Sequence, residues 1–257
     1  MALTQDKVNR NSALHHPRMI LEHGHTPDEI ATRLATPART NHLRDFVYGG
    51  IDGTVTTFAI VAGVAGAGLS HEVIIALGIA NVLADGFSMA AGNYSGTTAE
   101  RENVARLRAL EERHIRHCPE GEREEVRQIM AAKGLTGDVL EGAVAGITRD
   151  EKTWIDLMMQ DEHGIAPVDP SPMRAALATF GAFLLCGMVP LGPFIVGLDA
   201  PFVWASAMTG VVFFAIGTAQ SKWSLRPWWR SGIETLAIGG TAAAIAYGVG
   251  HLVNGWT

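Results

Sequence analysis

The chain has 257 residues, is 47% hydrophobic and 18% charged, and carries a formal net charge of −6. Its mean hydropathy of +0.16 is high for a water-soluble protein with this many charges, and the length suits one membrane bundle with a modest soluble insertion. The acidic balance offers no basic surface for a phosphate backbone, which excludes nucleic acid as a partner. Cys118 and Cys186 fall in a charged and an apolar stretch, so no disulfide framework is read from them.

Residues 1–44 read as a cytosolic N-terminal segment. They contain no continuous apolar run followed by a small-residue cleavage site, as a signal peptide would. His15, His16, His23 and His25 gather there. Spacing alone fixes no coordination geometry, and a tail or short amphipathic helix with incidental histidines is the simpler reading.

Beyond this segment the charges separate sharply from the apolar stretches. A hydrocarbon layer of about 30 Å takes roughly 20 helical residues, and five stretches meet that length: Phe46 to Leu69, Val73 to Ser95, Met173 to Gly197, Phe202 to Gln220 and Ile233 to Val253. The expected fold is therefore all-α, a five-span transmembrane bundle with a cytosolic three-helix insertion. The segments are 45–97 for spans one and two, 98–170 for the insertion, and 171–257 for spans three to five.

Loop charges orient it. Arg39, Arg44, the region from Arg101 to Lys152, and Lys222, Arg226 and Arg230 lie on one side, while Ser70 to Glu72, Leu198 to Pro201 and Asn254 to Thr257 carry no Lys or Arg. Cytosolic loops retain basic residues, so the N-terminus and the insertion are expected inside, with Trp223, Trp228 and Trp229 as an interfacial belt. Gly49/Gly53, Ala59/Gly63, Ala62/Gly66, Gly239/Ala243 and Gly240/Ala244 place small residues four apart, which lets helices approach closely. This favours a compact bundle, or a dimer through span one. Pro190 and Pro193 each remove a backbone donor within span three and predict a bend there.

Two acids fall well inside spans, Asp52 and Asp85. A charge there is costly unless it faces a partner or a watery path, so each is a functional candidate. Asn81, Asp85 and Met89 are spaced by four and align an amide, a carboxylate and a thioether on one helix face, a ligand stripe suited to a borderline metal ion. Hydrogen bonding of Asp85 to a neighbouring helix, with Met89 as filler, is the plain alternative. Glu234 reads as interfacial.

The insertion predicts charged helices broken near Cys118–Pro119, near Gly134 to Gly137 and around Gly146 to Thr148. Glu111, His114 and Cys118 share one helical face, Glu122 and Glu125 are one turn apart, and Met158, Met159, Glu162 and His163 lie within two turns. Carboxylate, imidazole and thioether together suit Fe(II), Co(II), Mn(II) or Zn(II) better than calcium. Glutamates at this spacing also form ordinary solvated faces with arginines, and Arg113, Arg116, Arg123 and Arg127 are at hand. Glu111 and His114 match one Glu-x-x-His element of di-iron carboxylate bundles, but no second such element is evident on another helix.

Three runs carry a resemblance: Tyr48-Gly-Gly-Ile-Asp52-Gly-Thr-Val-Thr-Thr-Phe58, Ala84-Asp85-Gly-Phe-Ser-Met89-Ala-Ala-Gly-Asn-Tyr94 and Trp154-Ile-Asp-Leu-Met158-Met159-Gln-Asp-Glu162. From Arg44 to the C-terminus the chain resembles the vacuolar iron transporter family. The resemblance implies a five-span protomer, a homodimer with its path between the two first spans, and a cytosolic metal-collecting domain. It further implies a secondary transporter, not an enzyme, that exports Fe(II), or Mn(II) and other divalent transition metals, from the cytosol in exchange for protons. No cofactor is expected to be tightly bound; the metal is substrate, and lipid surrounds the spans.

By the same resemblance Asp52 and Met89 correspond to pathway ligands, and Glu111, Glu122, Glu125, Met158, Met159 and Glu162 to cytosolic ligands. His114 stands where a plant member has glutamate, and Asn81 where it has a pathway glutamate. Asp85, one turn along, is expected to take over that proton-accepting role. A membrane-anchored ferroxidase and an iron-storage or sensing protein are the alternatives. The expected location is a bacterial inner membrane, or a vacuolar membrane in a eukaryote.

Overall fold

The computed structural model describes residues 24–36, 42–165, 170–221 and 226–256. The chain divides into two compact units, residues 1–38 and 39–257. In the first, α1 (Pro27–Ala35) starts with a reciprocal cap: the Glu29 N–H donates to the Thr26 hydroxyl at 3.4 Å and the Thr26 N–H to the Glu29 carboxylate at 3.0 Å. Two of the helix's orphan donors are thereby satisfied. His25 immediately precedes this turn, whereas His15, His16, His23, Arg39, Lys222 and Trp223 lie outside the described residues.

The second unit comprises α2 (Leu43–Gly66), α3 (His71–His117), α4 (Pro119–Ala132), α5 (Gly137–Ile147), α6 (Glu151–Asp161), α7 (Pro172–Gly187), α8 (Gly192–Val196), α9 (Pro201–Gln220) and α10 (Trp228–Asn254). Among the described residues there is no strand. α2, α3, α9 and α10 are long and apolar enough to cross a membrane, and α7 is a shorter apolar helix.

Two elements differ from the sequence expectation. The second span and the first charged helix are one helix of 47 residues, about 70 Å long at 1.5 Å per residue. The change from apolar to charged residues near 97 alters what surrounds the side chains, but Gly96 alone does not break the backbone, and the first breaker is Pro119. The boundary expected at 97/98 thus falls inside a continuous helix. The third expected span is likewise not one helix. α7 ends at Gly187, the chain turns through Pro190, which cannot donate to the ladder, and α8 resumes at Gly192 before closing at Gly197 with φ +73°.

α2 packs against α3, α7, α9 and α10. These approaches depend on missing side chains. A Cβ on Gly53 would stand 2.6 Å from the Phe183 carbonyl oxygen of α7, and one on Gly250 would stand 2.0 Å from the Gly63 carbonyl oxygen of α2. The small-residue stripe on α2, and Gly239 on α10, are therefore used in packing within one chain, whereas a Cβ on Gly240 would meet nothing within 4 Å. Phe58, Val61, Ile74, Val82, Leu191 and Ala205 form the buried core beside them. Leu83, Phe87, Leu177, Leu185 and Val211 point outward and are exposed, an apolar surface too broad for a water-soluble monomer.

On α3, Ile74, Gly78, Val82, Gly86 and Ala90 are buried at strict four-residue intervals. Asn81, Asp85 and Met89 each precede one of them by a single position, about 100° around the helix. They occupy the edge of the packed face and are half-buried. In the insertion, α4, α5 and α6 close on Val126, Met130, Val144, Trp154 and Met158, giving this part its own apolar core.

Candidate metal sites

Within the bundle, Asp52 of α2 and Met89 of α3 line one cavity of about 630 Å³ with Tyr48, Ile51 and Gln220. Met89 and Tyr48 also line a second cavity of about 830 Å³, which contains Asp85, Asp45, His42 and Glu100. Met89 is therefore a wall common to both spaces, with Asp52 on one side and Asp85 on the other. The two carboxylates are near enough to interact electrostatically. Asn81 faces α2: its amide donates to the Thr56 hydroxyl at 3.4 Å, and that hydroxyl donates to the Asp52 backbone carbonyl at 2.8 Å. Glu234 is exposed and paired with Arg226 at 2.9 Å.

The larger cavity contains a polar knot that the spacing argument missed. Asn93 donates to the Asp45 carboxylate at 2.9 Å and to the Thr179 hydroxyl at 2.8 Å, and His42 Nδ1 lies 3.0 Å from the other Asp45 oxygen. Asn93 continues the series Asn81, Asp85, Met89 by one further step of four, so the same periodicity would have found it. Asp45 and His42 carry no comparable signal, because they lie at the start of α2, where a charged helix end is ordinary.

In the insertion two groups of potential ligand atoms form around one carboxylate. Glu111, Glu162 and His163 make one, and Glu111, His114 and Glu122 the other, with the ligand atoms of each group within 4.8 Å of one another. Glu111 (1% exposed) and Glu122 (4% exposed) are buried. His163 Nε2 is 2.9 Å from one Glu111 oxygen, and His114 Nδ1 is 3.3 Å from one Glu122 oxygen. The second oxygen of each carboxylate is buried without a hydrogen-bond partner. An unpaired buried charge is costly, and five ligand side chains converging in two groups that share Glu111 leave a ready place for a cation.

The arginines do not neutralise this cluster. Arg116 pairs with Glu112, Arg123 with Glu120, and Arg127 with Glu124 and Glu141. The solvated ion pairs therefore involve other glutamates than the clustered ones. Burial, reinforced by the nearby Glu125 and Glu111 carboxylates, raises the Glu122 carboxyl to about 7. Burial followed by Glu111 also raises Glu162. Glu125 is itself exposed on α4, yet its charge reaches both. Met158 is fully buried in the insertion core, and Met159 is 4% exposed. Packing accounts for Met158 whether or not its sulfur meets a metal.

His163 was visible in the sequence but outside the ligand set implied by the resemblance. It follows the last turn of α6, where helical periodicity no longer places a side chain. The Glu162–His163 pair also supplies the second carboxylate and imidazole that the Glu-x-x-His pattern lacked, by adjacency at a helix end rather than by i, i+3 spacing.

Comparison with known proteins gives these groups a family. The chain is 33% identical over 231 residues to a "Vacuolar iron transporter" of Toxoplasma gondii, covering 85% of this chain and 76% of that one. It is 30% identical over 258 residues to "Vacuolar iron transporter 1" of Arabidopsis thaliana, covering 99% and 100%, and 31% identical over 215 residues to its namesake in Eucalyptus grandis, covering 82% and 86%. The family model described as "VIT family" matches residues 43–251, from the start of α2 to the last turns of α10. The chain belongs to the VIT family, the vacuolar iron transporters that its three motif runs resemble.

Proposed function

We propose that this protein carries Fe(II), and with it other divalent transition metals such as Mn(II), out of the cytosol in exchange for protons. That it is a membrane transporter rather than an enzyme follows from its family. The observation that carries the finer reading is the continuity of α3. One helix holds Asp85 and Met89 against the bundle cavities and, further along, Glu111 and His114 in the insertion cluster. Five apolar segments cross the membrane, with α7, the Pro190 turn and α8 together forming the third. The insertion lies on the cytosolic side, where it collects metal and raises its concentration near the path.

Two protomers meet along the partly open face of α2 that bears Asp52. The metal passes the carboxylates of Asp52 and Asp85 and the thioether of Met89. Carboxylates that release protons on binding metal and regain them on its departure couple the two fluxes. Asn81 cannot exchange a proton, and Asp85, one turn along on the same cavity edge, takes that part. Anaerobic Fe(II) uptake into proteoliposomes with an acidic lumen tests this. Asp85→Asn should abolish the stimulation by the pH gradient; a wild-type response in the variant would contradict the assignment. Uptake without oxygen also separates transport from iron oxidation, and net flux separates it from storage.

A further inference from the structure

We propose that His163 is a metal ligand of the insertion and that, together with His114, it biases this site toward borderline ions, Fe(II), Co(II) and Zn(II), over Mn(II). The inference rests on reading the Glu111 cluster as a metal site and goes further by naming what sets its preference.

Local backbone geometry places this imidazole. Past α6 the chain wraps back: the His163 N–H reaches the Met158 carbonyl at 3.3 Å, Gly164 takes φ +66°, and the Ile165 N–H bonds the Met159 carbonyl at 2.9 Å. The turn holds the His163 side chain at 18% exposure, with Nε2 on Glu111 Oε1 and Glu162 Oε2 4.0 Å away. If His163 served only to satisfy Glu111, the carboxylate would be half served, since its other oxygen remains buried without a partner. A dication shared by Glu111, Glu162 and His163 would satisfy both oxygens.

The second group repeats this composition. His114 stands against Glu122, whose other oxygen is also unpartnered, and Glu111 belongs to both groups. Each half of the cluster thus combines carboxylates with one imidazole. Carboxylate oxygen alone suits Mn(II), whereas imidazole suits iron, zinc and their neighbours. Two imidazoles therefore change selectivity more than capacity.

The test uses the full-length protein in detergent, titrated anaerobically with Co(II), Zn(II), Fe(II) and Mn(II), with Co(II) followed by its visible absorption. His163→Gln keeps a hydrogen-bond donor for Glu111 but offers no imidazole. It should weaken Co(II) and Zn(II) binding by at least about tenfold, change the Co(II) spectrum, and move Mn(II) by less than about threefold, the contrast expected of a nitrogen donor. Equal losses for all four metals would show a structural role and overturn the assignment, as would unchanged Co(II) affinity and spectrum. Glu111→Gln separates the levels: if it leaves binding of every metal at the wild-type value, the metal-site reading itself fails. None of these titrations requires flux, so their outcome is independent of whether the protein transports.

Discussion

Glu122 shows how a residue's surroundings, rather than its type, decide its chemistry. Burial and three neighbouring carboxylates lift its pKa from 4.5 to about 7. The folded, metal-free protein then binds more protons than the unfolded chain between these values, so folding stability falls as pH rises through that window. Below about 4.5 the penalty is absent, and above about 7 it is full, up to roughly 3 kcal/mol by the usual conversion. Thermal unfolding of metal-free protein should therefore show the insertion more stable at pH 5 than at pH 8. Glu122→Gln should flatten the profile, and saturating metal should restore stability at pH 8; a wild-type profile that rises with pH would contradict this account. The clustered glutamates and the Arg-paired ones look alike in sequence, because both follow helical spacing. Only the packing of α4 against α3 and α6 distinguishes them.

At the scale of elements, glycine spacing was legible but its use was not. The sequence allowed the stripe on α2 to serve either packing within the chain or a dimer, and the structure places Gly53 on α7 and Gly63 on α10. Gly53→Val should lower the unfolding midpoint markedly, since its branched side chain would have to displace the α7 backbone. Gly240→Ala, where a Cβ meets nothing within 4 Å, should leave it nearly unchanged in the same measurement. Equal effects would show that the close α2–α7 approach does not hold the bundle together. The breaks at Pro119, Gly134–Gly137 and Gly146–Thr148 were readable because Pro and Gly act locally. The fusion of span two with the first charged helix was harder to read, since hydropathy marks where solvent changes and not where a helix stops. The bend at Pro190 was anticipated; that it divides α7 from α8 required the tertiary arrangement.

Across the whole molecule, the two groups of metal-suited side chains are well separated. From Met89 to Glu111 is 22 positions along α3, about 33 Å of helix. An ion held at the insertion is therefore not in the membrane path, and the two sites should fail differently when altered. On the proposed mechanism, loss of a pathway carboxylate should stop translocation, while loss of a collecting site should leave the path intact but poorly supplied at low metal. The family was legible because the motif runs are specific, and Asp52 and Asp85, which line the bundle cavities, stood out because intramembrane charge is rare. The buried insertion cluster was legible only in part, because its members come from two helices, α3 and α4, and the turn that follows α6. The most direct measurement is the initial rate of anaerobic Fe(II) uptake into proteoliposomes with and without an acidic lumen, for wild type, Asp52→Asn and Glu111→Gln. The account predicts gradient-stimulated uptake in wild type, none above empty vesicles for Asp52→Asn, and a raised half-saturating Fe(II) concentration with a near-normal maximal rate for Glu111→Gln; wild-type uptake by Asp52→Asn would contradict it.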